Sequence, residues 1–243
     1  MTIKSNIHQL PFEFSHPRYM ERSDFIKSPC NAEALDMIEL WPYWPQFGMC
    51  IYGPEHCGKT HLAHIFSEVV SQKRNTPFPV PLIEASEVTS EIIPDLFAYD
   101  QCLIVENLNN EIDEKAFFHL INTYRDNHGF ILFTSVLPPA RIKYSLPDLA
   151  SRLNMLPAIG ISEPDDELLS ALIIKLFMDR QITISKEVIN YILVNMQRSF
   201  CYAHRLVEEI DNISMSYKRA VSIPIVKEAF IALRQHTQQD LFE

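Results

Sequence analysis

Glycine is scarce in this chain. The sequence has five glycines among 243 residues, whereas an average protein contains roughly 7% glycine. It shows no glycine-rich or other low-complexity tract, and no internal repeat. Two of the five glycines fall within one short motif, at the positions that the motif requires, so a chance match is improbable.

Long apolar runs are also missing. No stretch approaches the roughly 20 apolar residues that a membrane span needs, and residues 1–10 lack the apolar centre of a secretion signal. The five cysteines are scattered, and Cys50 and Cys102 lie in apolar segments, as buried free thiols do. These features predict a cytoplasmic protein with reduced thiols.

Basic residues are outnumbered by acidic ones. The chain has 21 Lys and Arg residues against 31 Asp and Glu residues, for a formal charge of −10. Because binding to duplex DNA needs a dense basic surface, we expect no direct sequence-specific DNA binding. Apolar residues make up 47% of the chain, which is enough to build a hydrophobic core.

The most informative segment is Gly53–Thr60, which reads GPEHCGKT and fits the phosphate-binding loop G-x-x-x-x-G-K-[ST] without a mismatch. An apolar strand candidate precedes it, and a helical segment follows it. In this motif the backbone N–H groups surround phosphate oxygens, the lysine neutralises the β- and γ-phosphates, and the threonine hydroxyl ligates Mg²⁺. The predicted nucleotide contacts here are Gly53, Pro54, Cys57, Gly58, Lys59, Thr60 and His61.

Strand and helix candidates alternate over residues 21–162. This pattern predicts an α/β fold, with a parallel sheet and helices on both of its faces. Residues 163–235 lack strand candidates and predict a small all-helical lid beside the nucleotide. Residues 1–20 are predicted to form an N-terminal arm, and residues 236–243 a polar C-terminal tail.

Other candidate site residues follow apolar runs or open a helix. Glu106 ends the run Gln101–Val105 and is predicted to hold Mg²⁺ through water, as an acid at the end of a neighbouring strand does in phosphate-loop enzymes. Asn107 follows it where a second acid would position the attacking water, so we expect weak or no intrinsic ATPase activity.

Thr134 and Ser135 are candidates for contacting the γ-phosphate or water, although hydroxyls at strand ends are also common in turns. Arg152 is a candidate for reaching a neighbouring subunit's nucleotide and Arg198 for the phosphates of its own site, although a surface ion pair is the default role of an arginine and spacing alone does not favour either contact.

Several of these stretches together resemble AAA+ ATPases, and closely the DnaA/Hda family of replication initiators and their regulators. The shared stretches are Gly53–His64, Ile131–Pro139, Leu149–Leu153 and the segment from Phe25 to Ala34. The resemblance covers nearly the whole chain. The chain ends where the DNA-binding domain of the initiators would begin, so it resembles the regulators of the Hda type.

The resemblance implies a role for several residues. It implies binding of ATP or ADP with Mg²⁺, contact of Asn31 with adenine, Arg152 as a finger acting in trans, and Arg198 as a sensor of the nucleotide. It also implies that the protein docks on the DNA sliding clamp and stimulates ATP hydrolysis by the initiator DnaA. The oligomeric state stays open, a homodimer included.

Both ends of the chain resemble clamp-binding peptides. Residues 238–242 read QQDLF, close to the pentapeptide Q-L-[SD]-L-F, in which a glutamine bonds the groove rim and two apolar residues fill a pocket. Residues 9–14 read QLPFEF and have the location that Hda-type proteins use. Either peptide or both can serve. The partner-binding candidates are Gln9, Leu10, Phe12, Phe14, Gln238, Leu241 and Phe242.

Three alternatives accompany this interpretation. The first is a nucleotide-gated adaptor that tethers a replication factor to the clamp without a catalytic effect. The second is an autonomous ATPase, against which the pair Glu106–Asn107 argues. The third is a zinc site at Cys57, His61 and His64, which share a helical turn; we expect none there because two of them lie in or beside the phosphate loop.

Overall fold

The computed structural model describes residues 20–217 and 219–239, with side chains through residue 234. Its core is a five-stranded, wholly parallel sheet with the strand order β2-β3-β4-β1-β5. The three central strands are short, mostly apolar runs buried on both faces, as expected where helices cover a parallel sheet, whereas only the middle residue of each edge strand is buried. The five strands are β1 (Gly48–Tyr52), β2 (Leu82–Glu84), β3 (Cys102–Leu108), β4 (Phe130–Ser135) and β5 (Ala158–Gly160).

The helices divide between the sheet and the lid. The sheet is covered by α1 (Ala32–Leu40), α2 (Lys59–Arg74), α3 (Ile93–Tyr99), α4 (Glu114–Asp126) and α5 (Pro147–Asn154). The lid consists of α6 (Asp166–Asp179), α7 (Lys186–Asn195), α8 (Phe200–Tyr217) and α9 (Ile223–Gln239). The predicted α/β fold followed by an all-helical segment is confirmed.

Alternation along the strands creates two separate cores. In β1, Met49 and Ile51 pack with α1 and α2 on one face, while Cys50 between them packs on the opposite face, with α4 and α5. Successive side chains of a strand point to opposite faces, so one apolar run serves both cores. The phosphate-loop helix α2 is thereby held against the sheet by its own buried face, which includes Leu62 and Phe66.

The lid has a third core of its own, formed between α6, α7, α8 and α9. It is joined to the rest of the chain by Leu168 of α6 and Phe200 of α8, which are buried in the same cluster as Phe25 and Cys57. The lid therefore packs directly beside the phosphate loop, which is the position that the sequence predicts.

Three details differ from the sequence predictions. Pro94, expected to break its segment, lies in the first turn of α3, where its missing N–H costs no hydrogen bond. The strand β3 continues past Val105 to Leu108 with a register shift against β4. Helix α9, expected to end at Leu233, continues to Gln239, so Gln238 belongs to a helix rather than to a polar tail.

The remaining candidates at the two ends lie outside the described residues. These are Gln9, Leu10, Phe12 and Phe14 at the start, and Leu241 and Phe242 at the end. Within the described ranges, none of the helices is both long enough and apolar enough to cross a membrane.

Candidate functional site

The phosphate-binding loop connects β1 to α2, and its two glycines are required by its shape. A Cβ atom on Gly53 would lie 2.9 Å from the Ile161 carbonyl oxygen and 3.0 Å from the Cys57 sulfur, so a side chain does not fit. Gly58 precedes the first residue of α2 with φ of 95°, a left-handed conformation that glycine adopts without steric cost. The loop therefore presents its backbone, and the positive end of the α2 dipole, to whatever lies above it.

Lys59 lies inside this loop. Its ammonium group donates hydrogen bonds to the carbonyl oxygens of Gly53 at 2.9 Å and Pro54 at 2.8 Å. The side chain is only 8% exposed. A cation held this way at a helix N-terminus provides the charge that polyphosphate binding requires.

Thr60 and Glu106 are brought together although they lie on different elements. The Thr60 hydroxyl donates to the Glu106 carboxylate at 2.8 Å. Burial raises the pKa of Glu106, against the lowering effect of the Thr60 hydrogen bond, while the charge of Glu84 adds to the increase. A hydroxyl and a carboxylate side by side are hard oxygen ligands that fit Mg²⁺ and its water shell.

The strand that carries Glu106 is not the neighbour of β1, contrary to the sequence prediction. In the sheet, β4 lies between β1 and β3. The carboxylate reaches Thr60 across that intervening strand because the carboxyl ends of parallel strands lie at the same edge of the sheet.

A cavity of about 720 Å³ lies between the loop and the lid. This volume is within the range of roughly 300–1,000 Å³ that is typical of small-molecule sites. Its lining combines the loop residues Gly58, Lys59, Thr60 and His61 with Asn107 of β3 and with Leu172, Lys175 and His204 of the lid. Lys175 and His204 were not predicted, because nothing in the sequence indicates which faces of α6 and α8 turn toward the loop.

A smaller cavity, of about 80 Å³, adjoins the same loop and contains Asn31. Phe25 and Ile26 line it from one side, and Leu168 and Phe200 of the lid from the other. The Asn31 side chain, itself buried, accepts from the Ser28 amide and donates to the Ile26 carbonyl. Asn31 therefore shapes the segment that borders this apolar cavity.

The hydroxyls at the end of β4 are engaged within the protein. The Ser135 hydroxyl donates to the Leu137 carbonyl at 2.6 Å and lies 3.3 Å from the Cys50 sulfur. The Thr134 hydroxyl accepts from the Asn107 amide at 3.2 Å. Neither residue lines the cavity beside Lys59, so the structure does not bring Ser135 to the candidate site.

Asn107 is held by a carboxylate that the sequence analysis did not single out. Its side-chain amide donates to both oxygens of Glu84, at 3.2 and 2.9 Å. Its backbone has φ of 60°, a conformation that asparagine tolerates better than most residues. Glu84 ends β2 directly beside Glu106, and its place at the end of a predicted strand was the signal available in the sequence.

The two arginines lie away from the cavity. The guanidinium of Arg152, on α5, stacks over the Phe118 ring at 4.7 Å. Arg198 pairs with Asp166 at 2.9 Å near the starts of α6 and α8, and both side chains are more than half exposed. The structure does not bring Arg198 to the phosphate loop, and Arg152 also lies outside the cavity of its own chain.

His204 is the lid residue with the most altered acidity near the loop. Its pKa is lowered to about 4 by burial, and the nearby His56 and Arg180 act in the same direction. Its ring stacks on that of His56 at 4.9 Å. The lid therefore touches the phosphate loop through a neutral imidazole.

Comparison with known proteins agrees with this architecture. Residues 165–230 match the family described as Hda, lid domain. Domain III of the replication initiation protein DnaA from Thermotoga maritima superimposes with a TM-score of 0.73 at 18% identity, over 90% of this chain and 97% of that one. The chain has the DnaA/Hda-type AAA+ fold.

Two further structures show how widely this fold is shared. AMPPCP-bound DnaA from Aquifex aeolicus matches this chain with a TM-score of 0.61 at 19% identity, over 82% of this chain and 67% of that one. The Thermotoga maritima RuvB Holliday junction branch migration motor matches with a TM-score of 0.66 at 15% identity, over 88% and 72%. The family match is confined to residues 165–230, which form most of the helical lid.

Proposed function

We propose that this protein binds ADP or ATP together with Mg²⁺ between its phosphate loop and its Hda-type lid. The observation that carries this proposal is that Lys59 and Thr60 line a cavity large enough for a nucleotide, with the Glu106 carboxylate hydrogen-bonded to the Thr60 hydroxyl. When bound, Mg²⁺ neutralises phosphate charge; Thr60 and Glu106 are the residues that hold it and its water shell. The AMPPCP-bound DnaA structure supports a nucleotide as the ligand of this fold.

We further propose that the protein regulates DNA replication initiation by stimulating ATP hydrolysis on the initiator DnaA. Support comes from the Hda-type lid and from Arg152, which lies outside the cavity of its own chain. An arginine supplied in trans stabilises the charge of phosphoryl transfer. Docking on the DNA sliding clamp, through Gln9–Phe14, through Gln238–Phe242 or through both, places the two proteins together on DNA.

The protein's own ATP hydrolysis is expected to be weak. Asn107 occupies the position after the Mg²⁺ acid and its amide cannot accept a proton from water. The carboxylate of Glu84, which lies beside Glu106 at the end of β2, is engaged by that amide. The work of the bound nucleotide is therefore to set the arrangement of loop and lid.

The direct test measures ATP turnover by DnaA in the presence of clamp loaded on DNA, with and without this protein. Arg152→Ala should abolish the stimulation and leave nucleotide and clamp binding intact, a loss of roughly 10³-fold in rate. Arg125→Ala is the matched control, because Arg125 is an exposed arginine on α4, the helix that Arg152 packs against.

The same assay separates the proposed regulator from the alternatives. If the protein binds clamp and DnaA but turnover does not change, it is a nucleotide-gated adaptor without a catalytic effect. If the protein alone hydrolyses ATP rapidly, it is an autonomous ATPase. Either result contradicts stimulation in trans.

Clamp docking is tested with substitutions at the two terminal peptides. Phe12→Ala, Phe242→Ala and the double variant are compared for binding to the immobilised clamp. We expect the double variant to lose most of the affinity, because each phenylalanine fills the apolar pocket of its peptide's groove. Full affinity in the double variant would exclude both peptides as anchors.

A further inference from the structure

Three side chains with metal-binding atoms meet where the lid touches the phosphate loop. Glu55 and His56 belong to the loop, and Cys201 lies in the first turn of α8. One carboxylate oxygen, one imidazole nitrogen and the thiol sulfur all lie within 4.8 Å of one another. Glu55 and His56 are exposed and Cys201 is half-buried, so an ion reaches the cluster from solvent.

This cluster borders the candidate nucleotide site, because Glu55 and His56 also line the cavity of about 720 Å³, but its side-chain ligands differ from the groups that hold phosphate. A phosphate loop grips its ligand with backbone amides, a lysine and a hydroxyl residue, while the side chains of its variable positions are not required. Glu55 and His56 occupy two of those variable positions. The cluster therefore uses the side chains of a loop whose backbone, with Lys59 and Thr60, serves the phosphates.

Loop and lid are already in contact at this point. His56 has φ of 60°, and its ring stacks on the ring of His204 at 4.9 Å with an angle of 29° between the planes. His204 lies three residues after Cys201, so the two side chains share one face of α8. The structure thus places a second imidazole beside the three clustered ligands.

The donor set selects among metal ions. Mg²⁺ and Ca²⁺ prefer sites built wholly from oxygen ligands. A thiolate, an imidazole and a carboxylate together match Zn²⁺, which binds sulfur, nitrogen and oxygen in tetrahedral geometry. Three protein ligands leave one tetrahedral position for a water molecule.

We propose that Glu55, His56 and Cys201 bind a Zn²⁺ ion that fastens the lid to the phosphate loop. The loop and the start of α8 are far apart in sequence, so the three ligands come together only in the folded arrangement. An ion that binds only this arrangement stabilises it, by an amount that increases with the ratio of the free ion concentration to the Kd.

The sequence carries no signal for this site, because its ligands come from two distant segments that only the fold brings together. The alternative group near the loop, Cys57, His61 and His64, is not assembled as a ligand set. The His61 ring donates from Nε2 to the Glu21 carbonyl at 2.8 Å, and Cys57 is only 3% exposed.

The test uses the full chain, stripped with chelator, reduced and free of nucleotide, because nucleotide phosphates themselves bind zinc. Co²⁺ is titrated first, since a cobalt–thiolate bond gives a charge-transfer absorption band that reports on the sulfur ligand. Zn²⁺ is then added to displace Co²⁺, and the melting temperature is measured with and without Zn²⁺. We expect one ion per chain, loss of the band on adding Zn²⁺, and a higher melting temperature with Zn²⁺.

Variants assign the ligands. Cys201→Ser and His56→Ala should each lose the thiolate band or weaken zinc binding by more than about tenfold. Cys30→Ser is the matched control, because Cys30 is also a half-buried free cysteine but lies outside the cluster. The melting temperature in chelator, compared between each variant and the unmodified chain, separates loss of a ligand from loss of folding.

A further variant separates this proposal from nucleotide binding. Lys59→Ala removes the proposed phosphate contact and should leave zinc binding unchanged. Absence of a thiolate band in the unmodified chain would overturn the site, as would its retention in Cys201→Ser or its loss in Cys30→Ser.

Discussion

The α/β half of the chain buries its charged site residues, Lys59 and Glu106, whereas the lid exposes its predicted site residue, Arg198. Lys59 is 8% exposed and Glu106 is 6% exposed, and each has hydrogen-bond partners within the site. In the lid, the side chains of Arg198 and Asp166 are 67% and 59% exposed. One half is therefore organised before a ligand binds, and the other presents groups that solvent already satisfies.

The difference indicates how the two halves divide the proposed work. A phosphate loop whose lysine and hydroxyl are already positioned loses little free energy to ordering when it binds phosphate. A lid with its own core, joined to the loop through a few side chains, changes position at low cost. Nucleotide affinity should depend mainly on the loop, and coupling to partners mainly on the lid.

The largest effect is expected from a substitution that creates a cavity in the lid core, which tests whether the lid and the α/β half are stabilised separately. Ile192 is fully buried in α7, and Ile192→Ala should lower the stability of the lid by about 2–5 kcal/mol. Hydrogen exchange followed by mass spectrometry should show faster exchange in α7–α9 with little change in the strands. Leu120→Ala, in the core beneath α4, is the matched variant and should expose the strands instead. Equal loss of protection in both halves would mean that they unfold as one unit.

The reactivity of the cysteine thiols gives a second comparison of the α/β half with the lid. Burial raises the pKa of Cys50 to about 11 and that of Cys102 to about 12. A thiol with a raised pKa stays protonated to higher pH, so at about pH 8 the reactive thiolate of Cys50 is roughly 100-fold rarer than that of an ordinary cysteine. Alkylation in chelator, mapped by mass spectrometry, should label Cys201 of the lid first and reach Cys50 only as the pH approaches its raised pKa. Early labelling of Cys50 at about pH 8 would show that the sheet opens more readily than the structure indicates.

A substitution in the loop should weaken nucleotide binding by roughly 10- to 100-fold. Lys59→Ala removes a charged hydrogen-bond donor, and such bonds contribute about 1.5–3 kcal/mol. The measurement is the fluorescence titration of a labelled adenine nucleotide. Lys73→Ala, at the far end of the same helix α2, is the matched lysine control. Equal affinity of Lys59→Ala and the unmodified chain would remove the loop from the binding site.

The smallest effect is expected at the exposed pair of the lid. Arg198→Ala should change nucleotide affinity by less than about fivefold, because exposed ion pairs contribute at most about 1 kcal/mol and Arg198 lies outside the cavity. The same titration checks it, with Asp166→Asn as the partner variant. A loss above tenfold for Arg198→Ala would mean that this arginine leaves Asp166 to contact the nucleotide, as the family resemblance implies.

The sequence predicted what local patterns determine. The strands β1 and β4 and the helices of the lid follow continuous apolar runs and helical periodicity, and the phosphate loop is a contiguous motif. The pairing of Thr60 with Glu106 could also be predicted, because parallel strands end at the same edge of the sheet. The order of the strands in the sheet could not be predicted from the sequence, and in the structure β4 separates β1 from β3.

The remaining site residues depend on contacts between distant segments. Asn107 bonds Glu84 because of the register shift in β3, and a register shift leaves no signature in the sequence of one strand. Lys175 and His204 face the loop because of how the lid docks through Leu168 and Phe200. Periodicity identifies the buried face of a helix, but it does not identify which exposed residue turns toward a neighbouring module.

The central claim is that the loop and the lid together hold an adenine nucleotide, and calorimetry of the full chain tests it most directly. Titration with ADP or ATP in the presence of Mg²⁺ should give saturable heat with one nucleotide per chain. The heat should fall in the Lys59→Ala variant. Absence of heat with both nucleotides would contradict the account.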